Sequence, residues 1–476
     1  MTEKKTSTSE SKYTLLVVVL GVFMVAVDTT VVVLAIPTIG KELSANLSLS
    51  TWVLLSYLLV TAIFATQLGR IGDLLGRNII YNSGFALFTL GSALCGLSFD
   101  IYELIAFRIL QAVGGSMILA NGAAVIADNF PRNSIGKAFG YTALGWNIGA
   151  TLGIILGGLI TSIFGWRYIF LINIPVGIFA TSLGFKVIKA NIKTESRLDI
   201  PGFLILSLSL TLLVLGSAFL AAYGPSIYNN STIYLALVLL VPFIIVEKRS
   251  KSPILKVDLF KERILTYSLL SSFFQSVGYL SVSFLITIYL QGVRGLDPLQ
   301  TSLVLLPAYL VSGVVAPFAG RLSDKYGSRI LATAGMAVLL LSAILYIAIG
   351  KTTPLQTIVL ASTLGGLGSA LFFPANNSAI MANARPAYYG AISGLTRTLA
   401  NIGTLVSYIL AITVSSIAIP RDLAFKVFLG TSNLVGGLSS DFVVGLRYAF
   451  TICALILFFG LILSSLRGKE VRGTAT

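Results

Sequence analysis

Charged residues are scarce in this sequence. Asp, Glu, Lys and Arg make up 11% of its 476 residues, whereas a soluble globular domain carries about 25% because its surface must be solvated. Histidine is absent altogether, so no imidazole can bind a metal or carry a proton. The two cysteines, Cys95 and Cys453, both lie in apolar stretches, so we interpret them as packing residues rather than a disulfide. A soluble domain, a histidine metal site and a disulfide framework are therefore all disfavoured.

Catalytic and nucleotide-binding motifs are missing as well. The sequence has no Walker A loop, so ATP is not expected to drive the protein directly. It also lacks the Gly-x-Ser-x-Gly turn of serine hydrolases and the cysteine and histidine spacing of zinc sites. We therefore predict that the protein is not an enzyme and carries no cofactor and no metal.

Long apolar segments dominate the sequence instead. Hydrophobic residues make up 56% of the chain and fall into runs of about 20 residues, the length at which a helix crosses a bilayer. Backbone amides in hydrocarbon must pair within the segment, and the runs do not alternate as barrel strands do, so we predict an all-α polytopic membrane protein. The predicted spans are residues 14–37, 51–69, 79–98, 104–127, 138–162, 167–187, 200–222, 231–246, 265–290, 300–319, 330–349, 354–375, 390–418 and 444–466.

The basic residues set the orientation of these spans. The net charge is +15, but Lys and Arg are concentrated in short loops on the side of the N-terminus, which argues against nucleic-acid binding. The positive-inside rule then places both termini in the cytoplasm of a multi-pass cell-membrane protein. Residues 1–12 are polar and lead into a run too long for the apolar part of a signal peptide, so we expect the first span to be retained.

One short motif occurs twice. G-R-I-G-D-L-L-G-R at residues 69–77 is matched by G-R-L-S-D-K-Y-G-S-R at residues 320–329. The motif residues are Gly69, Arg70, Asp73, Gly76 and Arg77 in the first copy and Gly320, Arg321, Asp324 and Gly327 in the second. Each copy follows the second helix of its half, so the repeat predicts two six-helix halves that flank an extra helix pair. Parallel half-repeats are typical of transporters.

The repeat also divides the chain. We predict a tail at residues 1–13, an N-terminal half at 14–188, two inserted helices with flanking loops at 189–264, a C-terminal half at 265–466 and a second tail at 467–476. In each copy of the motif the glycines permit a tight turn, Asp can accept hydrogen bonds at a helix N-terminus, and Arg can bridge to a neighbouring helix. Such a loop is either a latch for a cytoplasmic gate or a simple orientation signal, and its duplication favours the latch.

Four further segments have recognisable patterns. They are V-D-T-T-V-V-V-L-A-I-P at residues 27–37, R-I-L-Q-A-V-G-G at 108–115, G-W-R-Y-I-F-L-I-N-I-P at 165–175, and the glycines Gly145, Gly149, Gly153, Gly157 and Gly158. Together with the duplicated loop they resemble the major facilitator superfamily, and within it the 14-helix drug:proton antiporter branch. Where the branch has proline after the third of these glycines, this chain has Ile154, which would not kink the helix.

The resemblance implies both a fold and a function. The fold would be two six-helix bundles plus two extra helices. The function would be proton-coupled export of small amphipathic organic compounds, cationic ones above all, by alternating access. A proton-coupled importer or exporter of a specific metabolite is the alternative, while a channel has no need of the duplicated loop. The expected partners are a small-molecule substrate, protons and lipid, with no nucleic acid and a monomeric chain.

Asp28 is the only acidic residue clearly inside a predicted span. A carboxylate in hydrocarbon is costly and usually functional, so we predict that Asp28 binds the coupling proton, with a packing role as the alternative. Arg108 has a similar predicted depth and either pairs with Asp28 or snorkels to the outer surface, and the resemblance favours pairing. Gln111, one turn further along the helix, can join the same network.

The other candidates have weaker signals. The glycines of the fifth predicted helix recur every four residues, which suits either a moving interface between the halves or static helix packing. Arg397, in the inner part of the thirteenth span, is either a charge partner or a snorkelling anchor. Amides and rings that could contact substrate, or could equally serve packing, are those of Asn121, Asn147, Gln275, Phe273 and Tyr57.

Overall fold

The computed structural model describes residues 8–45, 47–131, 134–188, 199–224, 226–250, 261–296, 298–385, 388–418 and 438–468. These residues form helices joined by turns, and no strand occurs in those ranges. The predicted all-α polytopic fold is thereby confirmed. The parts of the predicted tails and inserted loops at residues 1–7, 189–198, 251–260 and 469–476 lie outside the described residues.

Fourteen helices follow one another along the described residues. The first six are α1 (Thr8–Glu42), α2 (Leu47–Leu75), α3 (Arg77–Leu97), α4 (Ile101–Asn129), α5 (Ile135–Ile163) and α6 (Tyr168–Val187, interrupted at Ile172). The inserted pair is α7 (Ile200–Tyr223) and α8 (Ile227–Arg249). The last six are α9 (Arg263–Val293, π-helical from Tyr289), α10 (Pro298–Tyr326), α11 (Ser328–Ile347), α12 (Leu355–Ala382), α13 (Tyr389–Ala418) and α14 (Leu438–Leu466).

Most of these helices suit a bilayer. Within the described residues, thirteen contain a stretch that is long and apolar enough to cross a membrane. The remaining helix, α13, has 30 residues and includes Arg397. Each predicted span overlaps one helix, but several helices are longer: α1 begins at Thr8 rather than at residue 14, and α12 runs to Ala382 rather than to 375. The difference arises because a helix can continue through polar residues after the apolar signal has stopped.

The helices form two bundles of six that meet along two seams. In the first bundle α1 packs on α5 and α3 on α4, and in the second α12 packs on both α10 and α11. The bundles meet where α2 packs on α13 and where α5 packs on α10. The inserted helices pack on each other, and α7 also contacts α2 and α13. The inserted pair therefore lies beside the α2–α13 seam.

The turns after α2 and α10 have the same geometry. Gly76 has a φ of 112° and Gly327 a φ of 101°, in the left-handed region where glycine avoids the strain of a side chain. Each glycine is the single residue between two helices. The tight glycine turn expected from both copies of the motif is therefore present.

Candidate functional site

A buried ion pair joins α1 to α4. Asp28 and Arg108 have no exposed surface, and Nη1 of Arg108 lies 2.6 Å from Oδ2 of Asp28. Burial of both groups is tolerable because each charge compensates the other at short distance. Of the two interpretations of Arg108, the geometry matches pairing with Asp28 rather than snorkelling to the surface.

Two further side chains donate to the carboxylate of Asp28, and a third, Ser92, connects these two. Gln111 donates from Nε2 to Oδ1 of Asp28 at 2.8 Å and accepts from Nη1 of Arg108 at 2.7 Å. Asn173 on α6 donates to the same Oδ1 at 3.3 Å. Ser92 on α3 accepts from the amides of Gln111 and Asn173, both at 3.1 Å. The network therefore connects four helices of the first bundle.

The guanidinium of Arg108 also has aromatic neighbours. Its Cζ lies 4.3 Å from the ring centre of Tyr57 and 5.6 Å from that of Phe170. Nε donates to the carbonyl oxygen of Val53 at 3.1 Å. Among the described residues, Nη2 of Arg108 and the hydroxyl of Tyr57 have no hydrogen-bond partner. A desolvated cation–π contact is worth about 2 kcal/mol, so Tyr57 contributes to holding the arginine in place.

Protonation of Asp28 would disturb the hydrogen bonds and the charge balance of this network. Both carboxylate oxygens accept hydrogen bonds, Oδ1 from two amides and Oδ2 from Arg108. Oδ1 already accepts two hydrogen bonds, so a proton there would displace a donor. On either oxygen, a proton would make Asp28 neutral and leave Arg108 as a buried charge without compensation, which is strongly unfavourable. Uptake of a proton therefore requires a rearrangement of the side chains or of α1 relative to α4.

Asp73 bridges the α2–α13 seam. Its carboxylate oxygens accept hydrogen bonds from the backbone N–H groups of Gly390 and Ala391, each at 2.9 Å. These groups lie at the start of α13, so the carboxylate satisfies free helix donors and faces the positive end of the helix dipole. Arg77 pairs with Asp73 at 2.6 Å and with Asp128 of α4 at 2.7 Å. The first copy of the motif therefore binds a helix of the other half.

Asp324 bridges the α5–α10 seam in the same way. It accepts hydrogen bonds from the backbone N–H groups of Gly136 and Lys137, each at 2.9 Å, in the first turn of α5. The two copies of the motif are thus related by geometry as well as by sequence. Each aspartate caps a helix of the opposite half, and both contacts lie at the same face of the molecule.

Glycines allow the two seams to close. A Cβ atom on Gly69 would overlap the backbone of Gly390 across the α2–α13 seam. Across the α5–α10 seam, a Cβ on Gly136 would lie 2.6 Å from the carbonyl oxygen of Gly320. Any larger residue at these positions would hold the helices further apart. The seam glycines therefore set the distance at which the aspartates can reach the opposite helix.

The matching arginines of the two copies, Arg70 and Arg321, have different surroundings. Arg70 is buried, with 4% of its surface exposed, and it interacts electrostatically with Glu247 at the end of α8 and Asp199 just before α7. Both carboxylates are buried as well. Arg321 is exposed, and its Nη2 lies 3.5 Å from the hydroxyl of Tyr141. Arg70 is therefore attracted electrostatically to the carboxylates that flank the inserted helix pair, whereas Arg321 lies at the surface.

The glycine face of α5 packs within the first half. The residues that face α1 are Gly145, Gly149, Gly153 and Gly157. A Cβ on Gly149 would lie 2.6 Å from the carbonyl oxygen of Phe23 on α1, and Gly158 is exposed, off this face. α5 continues through position 154, whose side chain lies outside the described residues. The geometry thus matches the helix-packing interpretation, and the partner is the helix that carries Asp28.

The weaker candidates are spread over several helices. Asn121 on α4 donates to a backbone carbonyl of α2 at 3.2 Å, and Asn147 donates to its own helix at 2.8 Å. Gln275 and Phe273 lie half-buried on α9. Tyr57 is the member of this group that contacts the buried ion pair. A role in substrate contact stays a prediction for all five.

Two residues of these networks carried no specific prediction. Asn173, in the recognised segment 165–175, is by contrast an intramembrane amide that the sequence predicts to line a polar cavity or to form an interhelical hydrogen bond. Asp128 lies one residue beyond the predicted span 104–127, where the helix continues to Asn129, and its pairing with Arg77 was hidden by that boundary. Ser92 is one of many serines in apolar segments, and nothing in the sequence distinguishes it.

Known proteins resemble this chain over most of its length. A family model described as Major Facilitator Superfamily matches residues 18–408. The riboflavin transporter RibZ of Clostridioides difficile is 31% identical over 455 residues, which cover 94% of this chain and 96% of that protein. The multidrug transporter protein MdtP of Bacillus subtilis is 30% identical over 399 residues, which cover 83% of this chain and 74% of that protein.

A solved structure shares the fold. The human organic anion transporter MFSD10 (TETRAN) matches with a TM-score of 0.60 and 15% sequence identity, covering 94% of this chain and 99% of that chain. At this level of identity the similarity concerns the fold alone. The relatives are transporters rather than enzymes, in agreement with the prediction made from the sequence.

Proposed function

Since this chain belongs to the Major Facilitator Superfamily, we propose that it is a proton-coupled secondary transporter that exports small amphipathic organic compounds by alternating access. The observation that carries the proposal is the buried pair of Asp28 and Arg108. A titratable carboxylate that is shielded from water and balanced by one arginine can bind a proton, and must change its surroundings when it does.

Helix packing can transmit a movement at Asp28 to the α5–α10 seam. α1, which carries Asp28, lies against the glycine face of α5. The first turn of α5 is capped by Asp324 of the other half. A shift of α1 after protonation would therefore act on a helix that forms one of the two seams. In this proposal, proton binding at Asp28 and opening of the α5–α10 seam are coupled.

Asp73 and Asp324 are the proposed latches of the cytoplasmic gate. Alternating access requires the two halves to close at one face and separate at the other, and then to exchange these states. The two aspartates hold four backbone hydrogen bonds between the halves at one face. Hydrogen bonds to a charged group are worth about 1.5–3 kcal/mol each. Proton and substrate binding must offset this stabilisation when the face opens.

Transport of one specific metabolite is the second candidate function. It is favoured by the similarity to a riboflavin transporter over nearly the whole of both chains. The similarity to a multidrug transporter has nearly the same identity but covers less of each chain, so the choice between broad and narrow specificity falls to the transport measurement. The two functions share the fold and the coupling site and differ in the number of compounds accepted.

The proposal also covers the location of the protein, its orientation in the membrane and the division of the chain into moving halves. We place the protein in the cell membrane as a monomer with both termini in the cytoplasm, following the distribution of its Lys and Arg residues. Residues 14–188 and 265–466 would be the moving halves, with residues 189–264 inserted between them. In this orientation the Asp73 and Asp324 contacts lie at the cytoplasmic face.

Transport into proteoliposomes tests the proposed function. The purified chain is reconstituted, a pH gradient is imposed, and accumulation of rhodamine 6G, fluorescein and riboflavin is measured after filtration and extraction at one fixed pH. We expect gradient-driven accumulation of at least one dye, absent from protein-free liposomes and abolished by a protonophore. Accumulation of riboflavin alone would favour the specific transporter. Accumulation that survives the protonophore would refute proton coupling.

A further inference from the structure

Arg397 is a second intramembrane arginine, and the coupling network does not use it. It lies about 12 Å along α13 from Tyr389, and Trp146 lies about 16 Å along α5 from Ile135, at about 1.5 Å per residue. The Cζ atom of Arg397 lies 5.0 Å from the ring centre of Trp146. Because α13 and α5 belong to different halves, this contact crosses the interface between the bundles. The side chain therefore points to the partner bundle rather than snorkelling to the membrane surface.

Arg397 has no anionic partner. Among the described residues it forms no ion pair, and its Nε has no hydrogen-bond partner. The titratable neighbour with which it interacts electrostatically is Tyr57. The buried carboxylate of Asp28 is already engaged by Arg108. Within the described residues, the bundle interface therefore holds one positive charge that no carboxylate compensates, and such a charge inside a membrane protein marks a functional site.

Other polar atoms near this position lack partners too. Ser393 and Asn401 lie four residues before and after Arg397 and therefore share its face of α13. The Oγ of Ser393, the Nδ2 of Asn401 and the hydroxyl of Tyr57 have no hydrogen-bond partner within the described part of the chain. Guanidinium and amide N–H groups can only donate, and hydroxyl groups can donate. An acceptor group can therefore satisfy every one of these atoms.

We propose that Arg397 binds an anionic group of the transported compound and that the substrates are aromatic organic anions. This inference rests on the proposed transport function, because it assigns the charge of the substrate at the same bundle interface. A carboxylate, sulfonate or phosphate matches the planar donor fork of arginine. An aromatic ring on the same molecule can stack beside Trp146 and Tyr57. A cationic substrate, expected from the family resemblance, would instead be repelled by Arg397.

A purely structural role for Arg397 makes a different prediction. If the guanidinium only held α13 against α5 by stacking on Trp146, its removal would lower stability and affect all ligands alike. If it receives an anion, its removal changes the relative affinity for anionic and cationic ligands. The ratio of the two affinities therefore separates the two roles.

Binding of two dyes with the same ring system measures this ratio. Fluorescein is anionic and rhodamine 6G is cationic, and both contain a xanthene ring. Their binding to the full chain in lipid nanodiscs is followed by fluorescence anisotropy at one mildly alkaline pH, with protein-free nanodiscs subtracted. No gradient is applied, so a failure of proton-coupled transport would leave this measurement intact. Arg447→Gln, which removes an exposed arginine, is the matched control for the loss of one positive charge.

We expect wild-type protein to bind fluorescein more tightly than rhodamine 6G. Arg397→Gln should weaken fluorescein binding by about tenfold or more, and Arg397→Glu should reverse the preference. Arg397→Lys keeps the charge but loses the planar fork, so its affinity for fluorescein should lie between those of wild type and Arg397→Gln. Arg447→Gln should leave both affinities unchanged. Size-exclusion profiles and thermal unfolding show whether each variant is folded. The proposal is overturned if wild-type protein prefers rhodamine 6G, if it binds no fluorescein, or if folded Arg397→Gln binds fluorescein as wild type does.

Discussion

Replacing Asp73 by alanine should open the α2–α13 seam. The side chain is 2% exposed and accepts the N–H groups of Gly390 and Ala391 at 2.9 Å each. Its removal leaves both donors without their acceptor, whereas Arg77 keeps Asp128 as a partner. Hydrogen bonds to a charged group are worth about 1.5–3 kcal/mol and a helix cap about 0.5–2 kcal/mol. Water that enters at this face can satisfy the freed N–H groups in part, so we expect the closed face to lose about 2–3 kcal/mol relative to the open one, less than the sum of two such hydrogen bonds.

Spin-label distances across the seam report this change. Since about 1.4 kcal/mol is a factor of ten, the ratio of closed to open molecules should fall by about 30- to 150-fold. Leu75→Cys and Arg385→Cys place labels at exposed positions at the end of α2 and shortly before α13. The native Cys95 and Cys453 are buried, so they should compete little for the label. In double electron–electron resonance we expect a short distance between the two labels when Asp73 is present, and a longer distance between them in the Asp73→Ala variant.

A matched helix cap away from the seam provides the control. Asp100 caps α4 by accepting the N–H groups of Tyr102 and Glu103 at 2.7 Å and 2.8 Å, and it is exposed. Asp100→Ala removes the same kind of contact and should leave the distance unchanged. A folded Asp73→Ala variant with the same distance distribution as its parent would refute the latch, because the Asp73 cap would then not stabilise the closed state of the seam.

Two further pairs of substitutions test the packing. Gly149→Val should lower the free energy of unfolding by about 1–3 kcal/mol through overpacking against α1, because even a Cβ would lie 2.6 Å from the carbonyl oxygen of Phe23. Gly158→Val, on the exposed side of α5, should have little effect, and equal losses in thermal unfolding would contradict this account. Arg70→Ala should destabilise the protein more than Arg321→Ala, because Arg70 is buried beside two carboxylates and Arg321 is exposed. Similar melting temperatures for the two variants would count against docking of the inserted helices through Arg70.

The helices and the buried ion pair could be predicted because the bilayer restricts the alternatives. Hydrocarbon requires internally paired backbone, so each long apolar run indicates a helix. A lone carboxylate in such a run needs a partner, and Arg108 is the arginine at a matching depth. Asp28, Arg108 and Gln111 are indeed within hydrogen-bond distance of one another.

The partners across the seams could not be predicted. The sequence indicates that Asp73 and Asp324 can cap a helix, but the donors are backbone N–H groups, which every residue except proline carries. Nothing in the apolar pattern identifies which helix of the other half lies opposite. For the same reason the spacing of the α5 glycines reveals a small-residue face but not that α1 is its partner. Contacts of this kind depend on tertiary packing.

Arg397 illustrates a different limit. Its position in an apolar run indicates either a paired charge or an anchor that reaches the surface, and the sequence does not distinguish these. The structure places its guanidinium against Trp146 of the other bundle. An arginine without an anionic partner among the described residues fits neither expectation, and it is this departure that points to a ligand.

The coupling role of Asp28 is tested most directly by two transport modes in the same proteoliposomes. One is accumulation of the transported dye against its gradient, driven by an imposed pH difference, and the other is exchange of preloaded dye without any pH difference. Asp28→Asn keeps the side chain's shape and removes its titration, and Asp100→Asn, at an exposed position on the N-terminal side of α4, is the control. Asp28→Asn should lose accumulation and retain exchange, while Asp100→Asn should keep both. Accumulation by Asp28→Asn at the level of the wild type would contradict the coupling role of Asp28.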